Sequence, residues 1–192
     1  KIDGVKSVKV VKTYYPAMNS AKDLTQAVET WKELGLKGEG MVVSIIDSGI
    51  DPNHKDMKIT DSSKAKLKKE NLKDGPGKYF TEKIPYGYNF ADENENIIDT
   101  HPKVDMHGMH VAGIVAANGS DEEVAKNEAI KGVAPEAQLL AMKVFSNNPN
   151  RQGAAEDDIV AAIEESVNQG ADIINMSLGS SAGFQKEDDP EQ

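Results

Sequence analysis

The chain has 192 residues, 38% of them hydrophobic, which is enough for one domain with a sizeable buried core. Its formal net charge of −10 supplies no basic footprint and argues against nucleic acid and anionic membrane as partners. Without a single cysteine, the chain has no disulfides, thiolate metal sites or cysteine nucleophile, and no apolar stretch reaches the length of a membrane span.

The start at Lys1 lacks the basic and apolar pattern of a signal peptide, so an exported protein would already have lost its signal. Val8, Val10 and Val11, set between lysines and followed by Tyr14-Tyr15-Pro16, predict a short strand that ends at a proline turn. From Ser20 to Leu34 the spacing predicts a helix, with Ser20 as its cap and Leu24, Ala27, Val28 and Trp31 on one face. Gly35 and Gly38 stop it. Met41 to Ile46 is an apolar run broken only by Ser44, as expected of a parallel strand covered on both faces, with Asp47-Ser48-Gly49 as the turn at its carboxyl end.

Residues 58 to 77 are polar, lysine-rich and punctuated by Gly75-Pro76-Gly77, which predicts a surface excursion. Small and apolar residues all round between Gly108 and Ala117 predict a buried helix. Leu139 to Phe145 reads as a second buried strand, Asp157 to Asn168 as a helix closed by Gly170, and Ile173 to Leu178 as a third strand. Strands alternating with helices predict an α/β domain with a mainly parallel sheet, whose ligands bind beyond the carboxyl ends of the strands.

That rule brings Asp47, His107 and the segment Ser177-Leu178-Gly179 toward one edge. An aspartate there can accept a hydrogen bond from one imidazole nitrogen and leave the other to take a proton from a hydroxyl. Taken singly, an aspartate after a strand is most often a turn former, and a histidine beside a glycine is most often a loop residue. Each, however, stands inside a longer string. Ile45-Ile46-Asp47-Ser48-Gly49-Ile50, His107-Gly108-Met109-His110-Val111-Ala112-Gly113 and Ile174-Asn175-Met176-Ser177-Leu178-Gly179 resemble, in order, three signature segments of the subtilisin-like serine proteases. Gly132-Val133-Ala134-Pro135-Glu136-Ala137 is similar to a stretch that follows the histidine helix in that family. Tyr14-Tyr15-Pro16, Pro85-Tyr86-Gly87-Tyr88-Asn89 and Ala141-Met142-Lys143-Val144-Phe145 most resemble its cell-envelope proteinases, the group of lactocepin and of complement- or chemokine-cleaving relatives.

The resemblance implies a subtilisin-like three-layer fold, represented by its amino-terminal part. Residues 19–192 would be an incomplete catalytic domain, and residues 1–18 the tail of a pro-region or an amino-terminal arm of the mature enzyme. It further implies a serine endopeptidase in which Asp47 orients the general base His107, while His110 holds a structural position. Ser177, Leu178 and Gly179 would pair with substrate backbone, and Gly153, within Gln152-Gly153-Ala154, would form the opposite binding edge. No Gly-Thr-Ser segment for the nucleophile and no oxyanion asparagine are found among these residues, so the chain alone is expected to be inactive. The remainder of the same protease, as a continuation or a second chain, is the implied partner, together with protein or peptide substrates. Export and attachment to the cell wall follow from the same resemblance.

Three rival readings bear on the site. Gly179-Ser180-Ser181-Ala182-Gly183 fits the nucleophile elbow of an esterase, but the acidic stretch with Pro190 that follows is a poor helix, and that family orders its triad serine, acid, histidine, whereas Ser181 follows Asp47 and His107. A catalytically silent peptide-binding module would retain Ser177 to Gly179 without a use for Asp47 and His107. A zinc site on His107 and His110 lacks further ligands of the usual pattern, so no catalytic metal is expected and the chemistry needs no cofactor. A structural calcium is left open at Asp121, Glu122 and Glu123, although acidic surface loops are more often simply solvated. The acidic clusters at 92–99 and 156–158 suggest a preference for basic substrate residues.

Overall fold

A computed structural model describes residues 22, 24–103 and 106–179 of the chain. The expected strand at 8–11, the arm at 1–18, the Ser20 cap and the Ser181 elbow lie outside the described residues. In chain order the elements are α1 (Ala27–Leu34), β1 (Val42–Asp47), β2 (Tyr86–Asn89), α2 (His107–Ala116), α3 (Asp121–Ala125), β3 (Gln138–Lys143), α4 (Glu156–Asn168) and β4 (Ile173–Asn175). The four strands form one sheet in the order β2-β3-β1-β4, with every pair parallel.

The two central strands, β1 and β3, are buried at all six of their positions, which is why they read as continuous apolar runs. Side-chain alternation divides the core between two faces. Val43 and Ile45 of β1 with Leu139 and Ala141 of β3 pack against Val111, Ala112 and Ala116 of α2. Val42, Ile46, Leu140 and Met142 face the other way, onto Ile159 and Ala162 of α4. The result is helix, sheet, helix: the three-layer α/β arrangement that the sequence predicts. Ser44, the polar break in β1, points to the α4 layer and shares a 2.7 Å hydrogen bond with Ser166, so its hydroxyl is buried but satisfied.

Several boundaries differ from expectation. Helix α1 begins at Ala27, and Leu24, read as part of its apolar face, is 85% exposed. What anchors this helix is Ala27, together with the Trp31 indole donating to the Val133 carbonyl at 3.0 Å. Asp47 is the last residue of β1 rather than the first of its turn. Strand β4 stops at Asn175, three residues short of Leu178. Strand β2 and helix α3 were not anticipated as elements. The excursion at 58–77 is mostly exposed, but Leu67 inserts into the α4-side core. Buried Gln138 ties it down, accepting from Leu67 N at 2.8 Å and donating to the Leu67 carbonyl at 2.8 Å. No helix among the described residues is long and apolar enough to cross a membrane.

Candidate active site

Because Asp47 has the same parity along β1 as Val43 and Ile45, its side chain emerges on the α2 side of the sheet. The chain then turns sharply at Gly49, whose φ is +125°. A Cβ at this position would lie 2.3 Å from the Ile97 carbonyl oxygen, so only glycine fits. Ile50 N donates to that same carbonyl at 2.8 Å and locks the turn against the 97–99 segment.

Helix α2 is brought down directly onto this turn. Gly108 N donates to Ser48 Oγ at 3.0 Å, and a Cβ on Gly108 would meet Gly49 O at 2.6 Å and Asp47 Cβ at 3.1 Å. The helix starts from Met106 in the left-handed region (φ 57°) without a side-chain cap, a strained entry of the kind found where geometry matters more than local stability. His107 is therefore presented over Asp47. Its Nδ1 lies 2.9 Å from Asp47 Oδ1 and 3.1 Å from Oδ2.

Asp47 is 1% exposed, whereas the His107 side chain is 51% exposed. The buried carboxylate also accepts from Ser48 N at 2.7 Å, which fixes its plane. An imidazole that donates from Nδ1 to a carboxylate carries its basicity on Nε2, the arrangement required of a general base. His110 lies one turn along α2 and is exposed, and the Met109 sulfur accepts from Asp51 N at 3.4 Å.

Replacing Gly108 by alanine is expected to lever His107 away from Asp47, because the new methyl would collide with backbone rather than with a flexible side chain. If the site has the expected peptidase activity in the full-length protein, this should reduce kcat on a peptide substrate by about a hundredfold with little change in KM, as for a misplacement of about 1 Å. Unchanged kcat would mean that the helix approach is not what sets the pair.

The two expected binding segments flank this centre. The last pair between β1 and β4 is Ile45 with Asn175, so Asp47 and Ser177 each lie two residues further on, at the same end of the sheet. Ser177 and Gly179 are exposed, and Leu178 is half-buried against the α4-side core. Contrary to expectation, these three residues extend beyond β4 and are not part of it. Ser177 Oγ donates to Asn175 Oδ1 at 2.9 Å. On the other flank, Phe145 pairs with Ala154 just past the end of β3. This sets Gly153, exposed and with a φ of +77°, on the rim of a cavity of about 460 Å³ that is also lined by His101, Lys103, Arg151 and Gln152.

The acidic run read as candidate calcium ligands is the start of helix α3. Ser120 and Glu123 form a capping box, and Asp121, Glu122 and Glu123 pair with Lys131, Lys126 and Lys55 respectively. Hydrogen bonds from Ser120, then from Lys55, hold the Glu123 carboxyl down at about 2. Among the described residues, no group of three or more His, Cys, Asp or Glu side chains could hold a metal ion. Of the acidic cluster at 92–99, Asp92 and Asp99 turn inward: Asp92 accepts from Ser146, Asn147 N and Asn89, and Asp99 accepts from His101 N. Sequence reasoning overlooked the supports, namely Ser48, the close approach of Gly108, and Lys143. A lysine closing the apolar run 139–142 was the available signal.

Residues 38–192 match the model of the subtilase family. The PI-type proteinase of Lactococcus lactis subsp. cremoris is 47% identical over 196 residues, covering all of this chain and 10% of the proteinase. A C5a peptidase of Streptococcus pyogenes serotype M3 is 35% identical over 163 residues, covering 81% of this chain and 13% of the peptidase. The chain thus spans about a tenth of the length of these relatives. Among solved structures, MycP1 without its propeptide superposes with a TM-score of 0.55 at 18% identity, over 88% of this chain and 42% of MycP1. A lanthipeptide protease superposes with a TM-score of 0.52 at 21% identity, over 87% and 37%. Both are likenesses of fold.

Proposed function

The chain belongs to the subtilase family, and on that premise we propose that it is the amino-terminal part of the catalytic domain of a secreted, wall-attached serine endopeptidase. The contact between buried Asp47 and half-exposed His107 Nδ1 carries this reading. A serine and an oxyanion asparagine are supplied by the rest of the same protein. His107 Nε2 takes the proton of the serine hydroxyl as the oxygen attacks the peptide carbonyl, and Asp47 stabilises the imidazolium that forms. The proton passes to the leaving amine, and water activated by the same nitrogen then hydrolyses the acyl-enzyme. An extended substrate segment lies between Ser177 to Gly179 on one side and Gly153 on the other, held by main-chain hydrogen bonds. Relatives named as a proteinase and as a C5a peptidase support protein substrates over small esters.

A fluorophosphonate probe on the full-length protein tests this reading. The expected result is one labelled serine outside residues 1–192, with labelling lost in His107→Ala, and no hydrolysis by the 192-residue chain alone. Label on Ser181 would favour an esterase, and absence of label a silent peptide-binding module.

A further inference from the structure

Lys143 ends β3 directly opposite Asp47 in the β1–β3 register and, sharing its parity, projects to the same side of the sheet. It is fully buried, and its Nζ donates to the carbonyl of Ser48, the residue after Asp47. Its charge interacts with three carboxylates, Asp99 and Asp92 from the segment after β2 and Asp47 from β1. Asp99 is 6% exposed, its Oδ2 has no hydrogen-bond partner among the described residues, and the Lys143 charge acts on it electrostatically. Burial pushes the Lys143 amine below the ordinary lysine range, and Asp99, Asp92 and Asp47 oppose that push. Burial also works against the charge on Asp92, but hydrogen bonds from Ser146, Asn147 and Asn89, together with Lys143, hold its carboxyl below the usual range.

We propose that Lys143 is a positioning residue for the Asp47–His107 pair, with its buried ammonium pinning the Ser48 peptide and balancing Asp47 from the sheet side. The Asp47 carboxylate then stays aimed at His107 Nδ1. The idea rests on the peptidase reading of the site but concerns an electrostatic property of the pair that exists without turnover. Removing the cation makes the pair bind a proton more readily, whereas removing one of the anions has the opposite effect.

The test uses the full-length protein and two readouts. One is the pH midpoint of His107 carbethoxylation by diethyl pyrocarbonate, followed by peptide mass spectrometry, which the half-exposed ring permits. The other is the acid limb of kcat/KM. Lys143→Met is expected to move both upward by about half a unit or more, Lys143→Arg to restore most of that shift, and Asp99→Asn to move both downward. Midpoints unchanged in Lys143→Met, or shifts of the same sign in Lys143→Met and Asp99→Asn, would overturn the proposal. If Lys143→Met does not fold, the isosteric Asp99→Asn decides, and absence of a downward shift sinks the idea. Carbethoxylation shifts as stated in a protein without hydrolytic activity would leave the positioning role intact and remove the peptidase reading.

Discussion

Conversion of His107 to alanine in the full-length protein is expected to lower kcat on a peptide substrate by about a millionfold, and loss of Asp47 by about ten-thousandfold. These are the magnitudes found on removing the corresponding residues of subtilisin, itself a member of this family, so they are carried over rather than derived. The asymmetry has a physical source in this site. On the proposed mechanism His107 moves the proton in each half of the reaction, whereas Asp47 holds the ring and its tautomer through the 2.9 Å contact with Nδ1. Asp47→Asn should be nearly as slow as Asp47→Ala although it preserves shape, because an amide can offer its N–H to Nδ1 and so favours the wrong tautomer. The double variant should be no slower than His107→Ala alone, since residues that act as a unit are not additive. Steady-state kinetics normalised to protein concentration read all of these, and a loss below tenfold in His107→Ala would exclude it as the base.

Replacement of Lys83 by methionine is expected to stabilise the domain, with a gain that depends on pH. Lys83 is 1% exposed and its ammonium donates to the Pro135 carbonyl at 2.7 Å. Burial lowers its pKa from 10.5 to about 7, and Glu136 only partly opposes that fall. The Glu136 carboxylate is itself committed to Thr60 Oγ1, Thr60 N and Asn118 Nδ2. Below pH 7 the folded and unfolded chains both carry the proton, and the whole cost of burying the charge is present. Between about 7 and 10.5 the unfolded chain holds a proton that the folded chain has shed, so stability rises with pH. Above that range neither form is charged and the cost is gone.

The full span corresponds to about 5 kcal/mol, offset by roughly 1 kcal/mol for the abandoned carbonyl. Lys83→Met should therefore raise the thermal midpoint strongly at pH 6 and hardly at pH 10. Measured in a His107→Ala background to prevent self-digestion, a loss of stability at both pH values would show that the Pro135 hydrogen bond outweighs the buried charge.

Much of this architecture is legible in the chain itself. Apolar runs at 41–46 and 139–145 mark the two strands with no exposed face, and the helix starting at His107 shows through small residues on every side. Strand β2 did not show, because Tyr86-Gly87-Tyr88-Asn89 is four residues long with a glycine inside, and nothing in its own pattern separates it from a loop. Helix α3 carried a signal in Ser120 and Glu123, the spacing of a capping box, but without an apolar stripe it read as loop. Helix α1 failed in the opposite sense. Its stripe is periodic, yet Leu24 is 85% exposed, since periodicity states which residues share a face and not whether every position on it is packed.

By itself, then, the sequence determined the layered α/β class and the family, and it singled out Asp47 and His107 as the pair that the fold brings into contact, because each is encoded in contiguous residues whose pattern is local. Only the tertiary structure decided what surrounds that pair. The strand order β2-β3-β1-β4, the seating of Gly108 on the Asp47 turn, and the burial of Lys143 and Lys83 bring together residues 52 to 95 positions apart. A charge reads the same along the chain whether it will meet water or three carboxylates, and its energy is set by neighbours that arrive only on folding.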